Sequence, residues 1–327
     1  MSMEIRVFSE SWPIRGSFTI SRGSKTAAEV VVVELTQQGV TGRGECVPYA
    51  RYGESVQGVI AQIETLIPAI RDGLDREGLQ SALVAGAARN AIDCAFWDLE
   101  SKQHRQRIWQ RLNKAEPQAL LTAYTLSLDT SENMQKAAEE NAFRPLLKLK
   151  LAGAGDLARV AAVRKGSPSA RIIVDANEGW NEQLYRELIP ELQKLGVEMI
   201  EQPLPAGEDA ILASLPRPIP ICADESCHDS STLNELIGRY DMINIKLDKT
   251  GGLTEALILR EQAEAAGLKI MVGCMLASSL AMAPAFVVAQ GAQVVDLDGP
   301  LLLQKDREPG FDYSGNLMHA PDAALWG

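Results

Sequence analysis

The chain opens on short runs of apolar and β-branched residues. Residues 4–8 and 28–35 are rich in valine and other strand formers, and a polar Gln-Gln-Gly turn separates the second run from Val40–Cys46, as in a hairpin. The period then lengthens. Residues 56–70 and 89–102 carry apolar side chains three and four apart, Ile92, Ala95, Phe96 and Leu99 among them, which predicts two amphipathic helices. Residues 1–115 therefore read as an α+β unit.

From about residue 119 short apolar runs alternate with amphipathic segments, the pattern of repeated β-then-α units on a parallel sheet. Eight candidate strands end near Thr125, Lys150, Asp175, Glu201, Asp224, Lys246, Gly273 and Asp298, at intervals of 25, 25, 26, 23, 22, 27 and 25 residues. Spacing this regular predicts a (β/α)8 barrel over residues 116–300. An open doubly wound sheet rarely holds eight even units, and no GxGxxG follows the first strand of the series. Residues 301–327, with Pro309, Gly310 and Pro321 and weak periodicity, are expected to pack back on the N-terminal unit. The expected fold class is α/β, a barrel with an α+β capping domain completed by the C-terminal segment.

Composition narrows the setting. A length of 327 residues with 46% hydrophobic content suits one large domain and a smaller one. No apolar run of about 18 residues occurs, and Glu4 stands where a signal core would begin, so the expectation is a soluble cytoplasmic protein. The five cysteines are scattered and lack a CxxC pair, which argues for reduced thiols and against a disulfide scaffold or thiolate zinc site. A net charge of −11 repels phosphate backbones and anionic lipid, so neither nucleic acid nor membrane is an expected partner. Homo-oligomerisation is left open.

In a barrel the chemistry gathers at the carboxyl ends of the strands. Three consecutive strands end in acids, Asp175 after Ile-Ile-Val, Glu201 after Met-Ile, and Asp224 after Pro-Ile-Cys-Ala. A lone acid there can simply cap the next helix, but three at one rim repel one another unless a cation joins them. An all-oxygen set favours Mg²⁺, with Mn²⁺ as an alternative, one ion per subunit. Two further strands end in lysines. Lys148 and Lys150 share a strand face in Leu-Lys-Leu-Lys, and Lys246 closes Asn-Ile-Lys. Strands two and six are diametric in a ring of eight, so Lys150 and Lys246 are expected to face each other with the metal between them. One can then take an α-proton from a carboxylate substrate while the conjugate acid of the other returns it to the opposite face. A bound cation and Lys148 would lower the pKa of the base.

These residues resemble a known pattern. Lys-x-Lys on strand two, the three acids in VDANE, IEQPL and ADES, and Lys246 in NIKLDKTGG resemble the muconate-lactonizing subgroup of the enolase superfamily, and the likeness runs from WPIRGSF to DLDGP. The resemblance implies that the loops at residues 18–25 and 49–55 of the capping domain close over the barrel mouth and select the substrate. Within the subgroup the chain is most similar to bacterial dipeptide epimerases of the L-Ala-D/L-Glu type, which implies a dipeptide substrate and a role in murein peptide recycling. Strand eight carries Asp296 and Asp298 on one face, placed to bind a dipeptide's ammonium, and ISRGSK places Arg22 and Lys25 to meet a glutamate side chain. The runs PYARYGES, GCML and NIKLDKTGGLTEAL extend the likeness. By the same resemblance Thr125, Cys274 and Met275 join the substrate-binding set, and Asn177 supports the metal ligands. Ala277 stands where many subgroup members have glutamate, which bears on specificity.

Rival readings use the same residues. In o-succinylbenzoate synthesis or cycloisomerisation one lysine is the base and the other only stabilises charge. Those substrates carry no ammonium for Asp296 and Asp298 to bind. A Schiff-base aldolase would use Lys246 as an imine-forming nucleophile. A catalytically silent binding barrel is weakened by the three aligned acids.

Overall fold

The computed structural model describes residues 3–327. The N-terminal unit is an antiparallel sheet of Glu4–Ile20, Gly23–Gln37 and Val40–Cys46, with the Ala87–His104 helix packed across it and Val56–Arg71 and Arg76–Ala82 beside it. The contact with the long helix is close because the third strand is TGRGEC. A β-carbon on Gly42 would lie 2.3 Å from Ala95 O, and one on Gly44 2.1 Å from Ala91 O. The first two strands run further than the apolar pattern indicates. The segment read as a loop, residues 18–25, is paired as Phe18↔Lys25, Thr19↔Ser24 and Ile20↔Gly23 after a register shift beyond Pro13. Only Phe18 and Ile20 are apolar in this ribbon, so its mostly polar side chains show no alternating burial to mark it as strand.

Eight parallel strands follow, Tyr124–Leu126, Leu146–Lys150, Arg171–Asp175, Val197–Glu201, Ile221–Ala223, Met242–Ile245, Lys269–Gly273 and Val294–Asp296, each hydrogen-bonded to the next. They are called the first to eighth barrel strands below. Every end falls within two residues of its expected position. The ring closes between first and eighth, where Ala123 N donates to Val295 O at 2.8 Å and Leu297 N to Thr122 Oγ1 at 2.8 Å.

Alternation along the strands sorts the barrel interior into layers. Ala123, Leu146, Ile173, Met199, Cys222, Met242, Met271 and Val294, one from or beside each strand, form an apolar floor. Two residues further along each strand the inward positions are Thr125, Lys148, Asp175, Glu201, Asp224, Asn244, Gly273 and Asp296. The intervening residues, Leu147, Leu149, Ile172, Val174, Ile200, Ile243 and Val272 among them, face outward into the main core. A dry floor thus lies directly beneath a ring of polar side chains.

Cap and barrel are bound through the sixth-strand region. Asp248 Oδ1 accepts from Val47 N at 2.9 Å and Asn90 Nδ2 at 2.8 Å, and Arg89 donates to Thr250 O at 2.7 Å and Gly251 O at 3.1 Å. Gly252 has φ +117°, and a β-carbon on it would meet the Asp93 side chain at 2.5 Å, so only glycine allows this approach. The last residues return to the cap. Trp326 Nε1 donates to Cys94 O at 3.0 Å and Arg43 Nη2 to Ala324 O at 2.7 Å, while Arg307 bridges Glu10 and Glu45.

Candidate active site

Asp175, Glu201 and Asp224, on the third to fifth strands, offer carboxylate oxygens that all lie within 4.8 Å of one another, and all three are buried. Burial and the neighbouring Asp175 push the Glu201 carboxyl up to about 7. Burial acts the same way on Asp175 but is outweighed by Lys150 and Lys148, and on Asp224 by Lys246 and Lys249, so both stay below the usual carboxylate range. Three hard, buried oxygen donors crowded together, one of them with its carboxyl raised by burial and by a neighbouring acid, fit a small divalent cation.

The lysines meet these acids directly. Lys150 Nζ lies 2.6 Å from Asp175 Oδ2 and Lys246 Nζ 2.6 Å from Asp224 Oδ2. Lys148 Nζ lies 2.6 Å from both Glu201 Oε2 and Asp296 Oδ2, joining the acid cluster to the eighth strand. Burial works against the charged forms of Lys148 and Lys246. The attraction of Asp296 and Glu201 for the first, and of Asp224 and Glu201 for the second, more than offsets it and raises both well above the ordinary lysine value. A cation among the carboxylates would compete with these ammonium groups and pull both values back down.

Lys150 and Lys246, from the second and sixth strands, line one cleft of about 470 Å³ at the barrel mouth. Asp224, Asn177, Arg22, Lys25, Cys274 and Met275 also border it. The hairpin hangs over this space, with the Phe18 ring centroid 5.9 Å from Lys150 Nζ and Lys25 Nζ 5.7 Å from the Tyr49 ring. Arg22 is engaged by the barrel. It donates to Glu225 Oε1 at 2.7 Å, Glu178 Oε2 at 3.2 Å, Asn177 O at 3.1 Å and Tyr49 OH at 3.1 Å.

Asp296 and Asp298 are buried beside this cluster. Asp296 Oδ1 has no hydrogen-bond partner, and Asp298 Oδ2 accepts from Thr125 N at 2.6 Å. Burial and Asp296 push the Asp298 carboxyl up to about 7. Thr125 itself faces a separate depression of about 250 Å³ between the hairpin base and the Ser131–Glu140 helix. Asn177 donates its backbone N–H to Asp175 Oδ1 at 2.9 Å.

Several site residues escape sequence reasoning. Glu178 accepts from Arg22, from Arg51 Nε and Nη2 at 3.0 and 2.9 Å, and from Ala206 N at 2.8 Å. Asn244 Nδ2 donates to Glu201 Oε1 at 2.7 Å, and Gly273 leaves room for it, since a β-carbon there would stand 2.7 Å from Asn244 Oδ1. Lys249 Nζ contacts Asp224. The Asn-x-Lys-x-x-Lys spacing was the available signal for the last two, because these positions follow a barrel strand into its first helical turn.

Comparison with known proteins places this geometry. A model of the mandelate racemase / muconate lactonizing enzyme N-terminal domain matches residues 2–112, and one described as enolase C-terminal domain-like matches residues 129–324. The L-Ala-D/L-Glu epimerase of Escherichia coli strain K12 is 46% identical over 317 residues, covering 96% of this chain and 99% of the relative. An N-acetyl-D-glutamate racemase from a Pseudoalteromonas species is 45% identical over 300 residues, covering 91% of this chain and 95% of the relative. A crystal structure of an enolase family member from Agrobacterium tumefaciens, with homology to dipeptide epimerases and with bound sodium and L-Ala-L-Glu, is 51% identical. It superposes with a TM-score of 0.98 over 99% of this chain and 100% of the other. Matched in both domains and along nearly its whole length, the chain belongs to the mandelate racemase and muconate lactonizing enzyme family of the enolase superfamily.

Proposed function

We propose that this protein epimerises dipeptides of the L-Ala-D/L-Glu type at the C-terminal α-carbon by two-base proton transfer. The observation that carries this reading is the pair Lys150 and Lys246, on diametric strands of one ring and bordering one cleft, with three buried acids on the strands between them. Asp175, Glu201 and Asp224 would hold one Mg²⁺ per chain, with Mn²⁺ as a substitute. Bound there, the ion would draw the substrate carboxylate to the centre and stabilise the negative charge that develops when the α-proton leaves.

The chain supplies the rest. Lys150 and Lys246 each address one face of the α-carbon. One removes the proton, and the ammonium of the other returns it with inverted configuration. Lys148, wedged between Glu201 and Asp296, adds positive charge that favours the neutral form of a neighbouring lysine. Asp296 and Asp298 receive the dipeptide's ammonium, and the unpartnered Asp296 Oδ1 supports that role. Lys25 and Arg22 stand at the mouth for an acidic side chain, and Phe18, Cys274 and Met275 complete a wall that excludes water. Thr125 acts by orienting Asp298, and Asn177 by orienting Asp175.

The relatives support this reading, one by its name and one by the L-Ala-L-Glu it binds. A second reading, racemisation of N-acylated glutamate, is favoured by the Pseudoalteromonas relative and uses the same lysines with different recognition of the amino end. The experiment is incubation of L-Ala-L-Glu with the protein and Mg²⁺ in D₂O, followed by proton NMR. Deuterium should enter the glutamyl α-position of both epimers, and no incorporation with dipeptides or N-acyl amino acids would sink both readings. The described helices include none long and apolar enough to cross a membrane, and all five cysteines are free. The free thiols support a reducing cytoplasm as the setting, where recycling of murein peptides would supply such a substrate.

A further inference from the structure

Lys249 is a further lysine of the site and, like Lys148, lines neither of the two clefts described above. It lies in the short Leu247–Thr250 helix that follows the sixth barrel strand, and its side chain has 0% exposure. All three donors of its ammonium are taken, by Asp224 Oδ1 at 2.6 Å, Asp224 O at 2.6 Å and Asn244 O at 3.0 Å. Lys246 meets the other carboxylate oxygen, Oδ2, at 2.6 Å. Asp224 is therefore gripped on both oxygens by lysines of different character. Lys246 faces the cleft with room to leave its partner, whereas Lys249 is enclosed and saturated.

Carboxylates bind hard cations through one oxygen or both. Resting on the reading of Asp175, Glu201 and Asp224 as a metal site, we propose that Lys249 is a positioning residue that keeps Asp224 a one-oxygen ligand. By holding Oδ1 it reserves Oδ2 for the cation and leaves the ion a position that a substrate carboxylate can take. Two opposed effects would follow its removal. Asp224 would lose an orienting partner, which weakens metal binding. It would also lose a competing cation 2.6 Å away and gain a free second oxygen, which strengthens it. The second effect dominates in this reading, because the fourth and sixth barrel strands, which flank the fifth, and Lys246 still fix the surroundings of Asp224.

The test uses the full-length protein with MgCl₂ alone as the titrant in calorimetry. It adds kcat and KM for L-Ala-L-Glu at saturating Mg²⁺ and thermal melts of the metal-free proteins. Lys249→Met should bind Mg²⁺ more tightly than the unsubstituted protein. It should still lose about tenfold or more in kcat/KM, the scale seen when partners of metal ligands are removed. Lys249→Gln retains an N–H donor for Oδ1 without the charge, so its kcat/KM should fall less; it is also the informative variant if Lys249→Met does not fold. Weaker Mg²⁺ binding in the folded variants overturns the assignment, as does full recovery of kcat/KM at saturating Mg²⁺. If the unsubstituted protein binds no Mg²⁺, the metal reading itself falls, a result separable from either.

Discussion

Replacing the alanyl residue of the substrate by acetyl removes its ammonium group and one methyl, so it probes the part played by Asp296 and Asp298. In the free protein Asp298 is 3% exposed, and burial together with Asp296 moves its carboxyl from 3.8 to about 7. At about 1.4 kcal/mol per pH unit this displacement corresponds to roughly 4 kcal/mol between its two protonation states. A substrate ammonium arriving at the pair offsets much of that penalty, whereas an acyl group leaves it in place. Breaking one partner of such a buried charge pair costs about 2–5 kcal/mol, or roughly thirtyfold to several thousandfold in kcat/KM. The assay compares kcat/KM for L-Ala-L-Glu, N-acetyl-L-Glu and L-Ala-L-Leu by α-deuterium uptake. The ratio of the first two also carries a pH signature. Asp298 is raised, so its ionised form grows as pH rises through about 7, and the preference for the dipeptide should grow with it. The preference should decline again as the substrate ammonium deprotonates near about 8. Both substrates share the lysines and the metal, so titration of those groups cancels in the ratio. Equal kcat/KM for the dipeptide and the N-acetyl compound at every pH would refute the reasoning and favour the N-acylglutamate reading. A preference for L-Ala-L-Leu would keep the dipeptide and discard the acidic side chain.

Three other expectations test the remaining framework. Asp224→Asn should abolish turnover in a protein that still melts cooperatively, and chelation of divalent metal should do the same reversibly; full activity in metal-stripped buffer would contradict the acid cluster's role. Lys150→Ala and Lys246→Ala should each lose epimerisation by at least the factor of about 10² to 10⁴ attributed to one acid or base. Each single variant should retain α-proton exchange for only one of the two epimers, and equal exchange of both by both variants would exclude the two-face scheme. Gly42→Ala should lower stability by about 1–3 kcal/mol in denaturant titration, because the new methyl meets backbone atoms of the Ala87–His104 helix; an unchanged midpoint would show that sheet and helix can part without strain.

The barrel was legible because its spacing is enforced by geometry. A strand, a helix and two short turns need about the same length each time, so eight evenly spaced apolar runs left little freedom. The inward ring was legible too, since two-residue alternation puts Lys148, Asp175, Glu201, Asp224 and Asp296 above the apolar floor. What escaped depends on contacts distant in sequence. Arg22 reads as a free cation on a loop, yet Glu225, 203 residues away, accepts its guanidinium, and no periodicity encodes that partnership. The spacing alone does not single out a partner for Lys249, and only the fold buries it against Asp224. The hairpin from residues 18–25 was hidden for a different reason, since only Phe18 and Ile20 in it are apolar and they face the cleft, too short an alternation to declare a strand.

Glu178 has a consequence for the mouth of the barrel. One carboxylate accepts from Arg22 on the hairpin and from Arg51 beside Tyr49, while Ala206 N anchors it to the barrel. Both cap segments are thus tied to the barrel at one and the same carboxylate. Removing that one carboxylate, as in Glu178→Gln, would therefore loosen both segments over the mouth at once, at a residue that lines neither cleft.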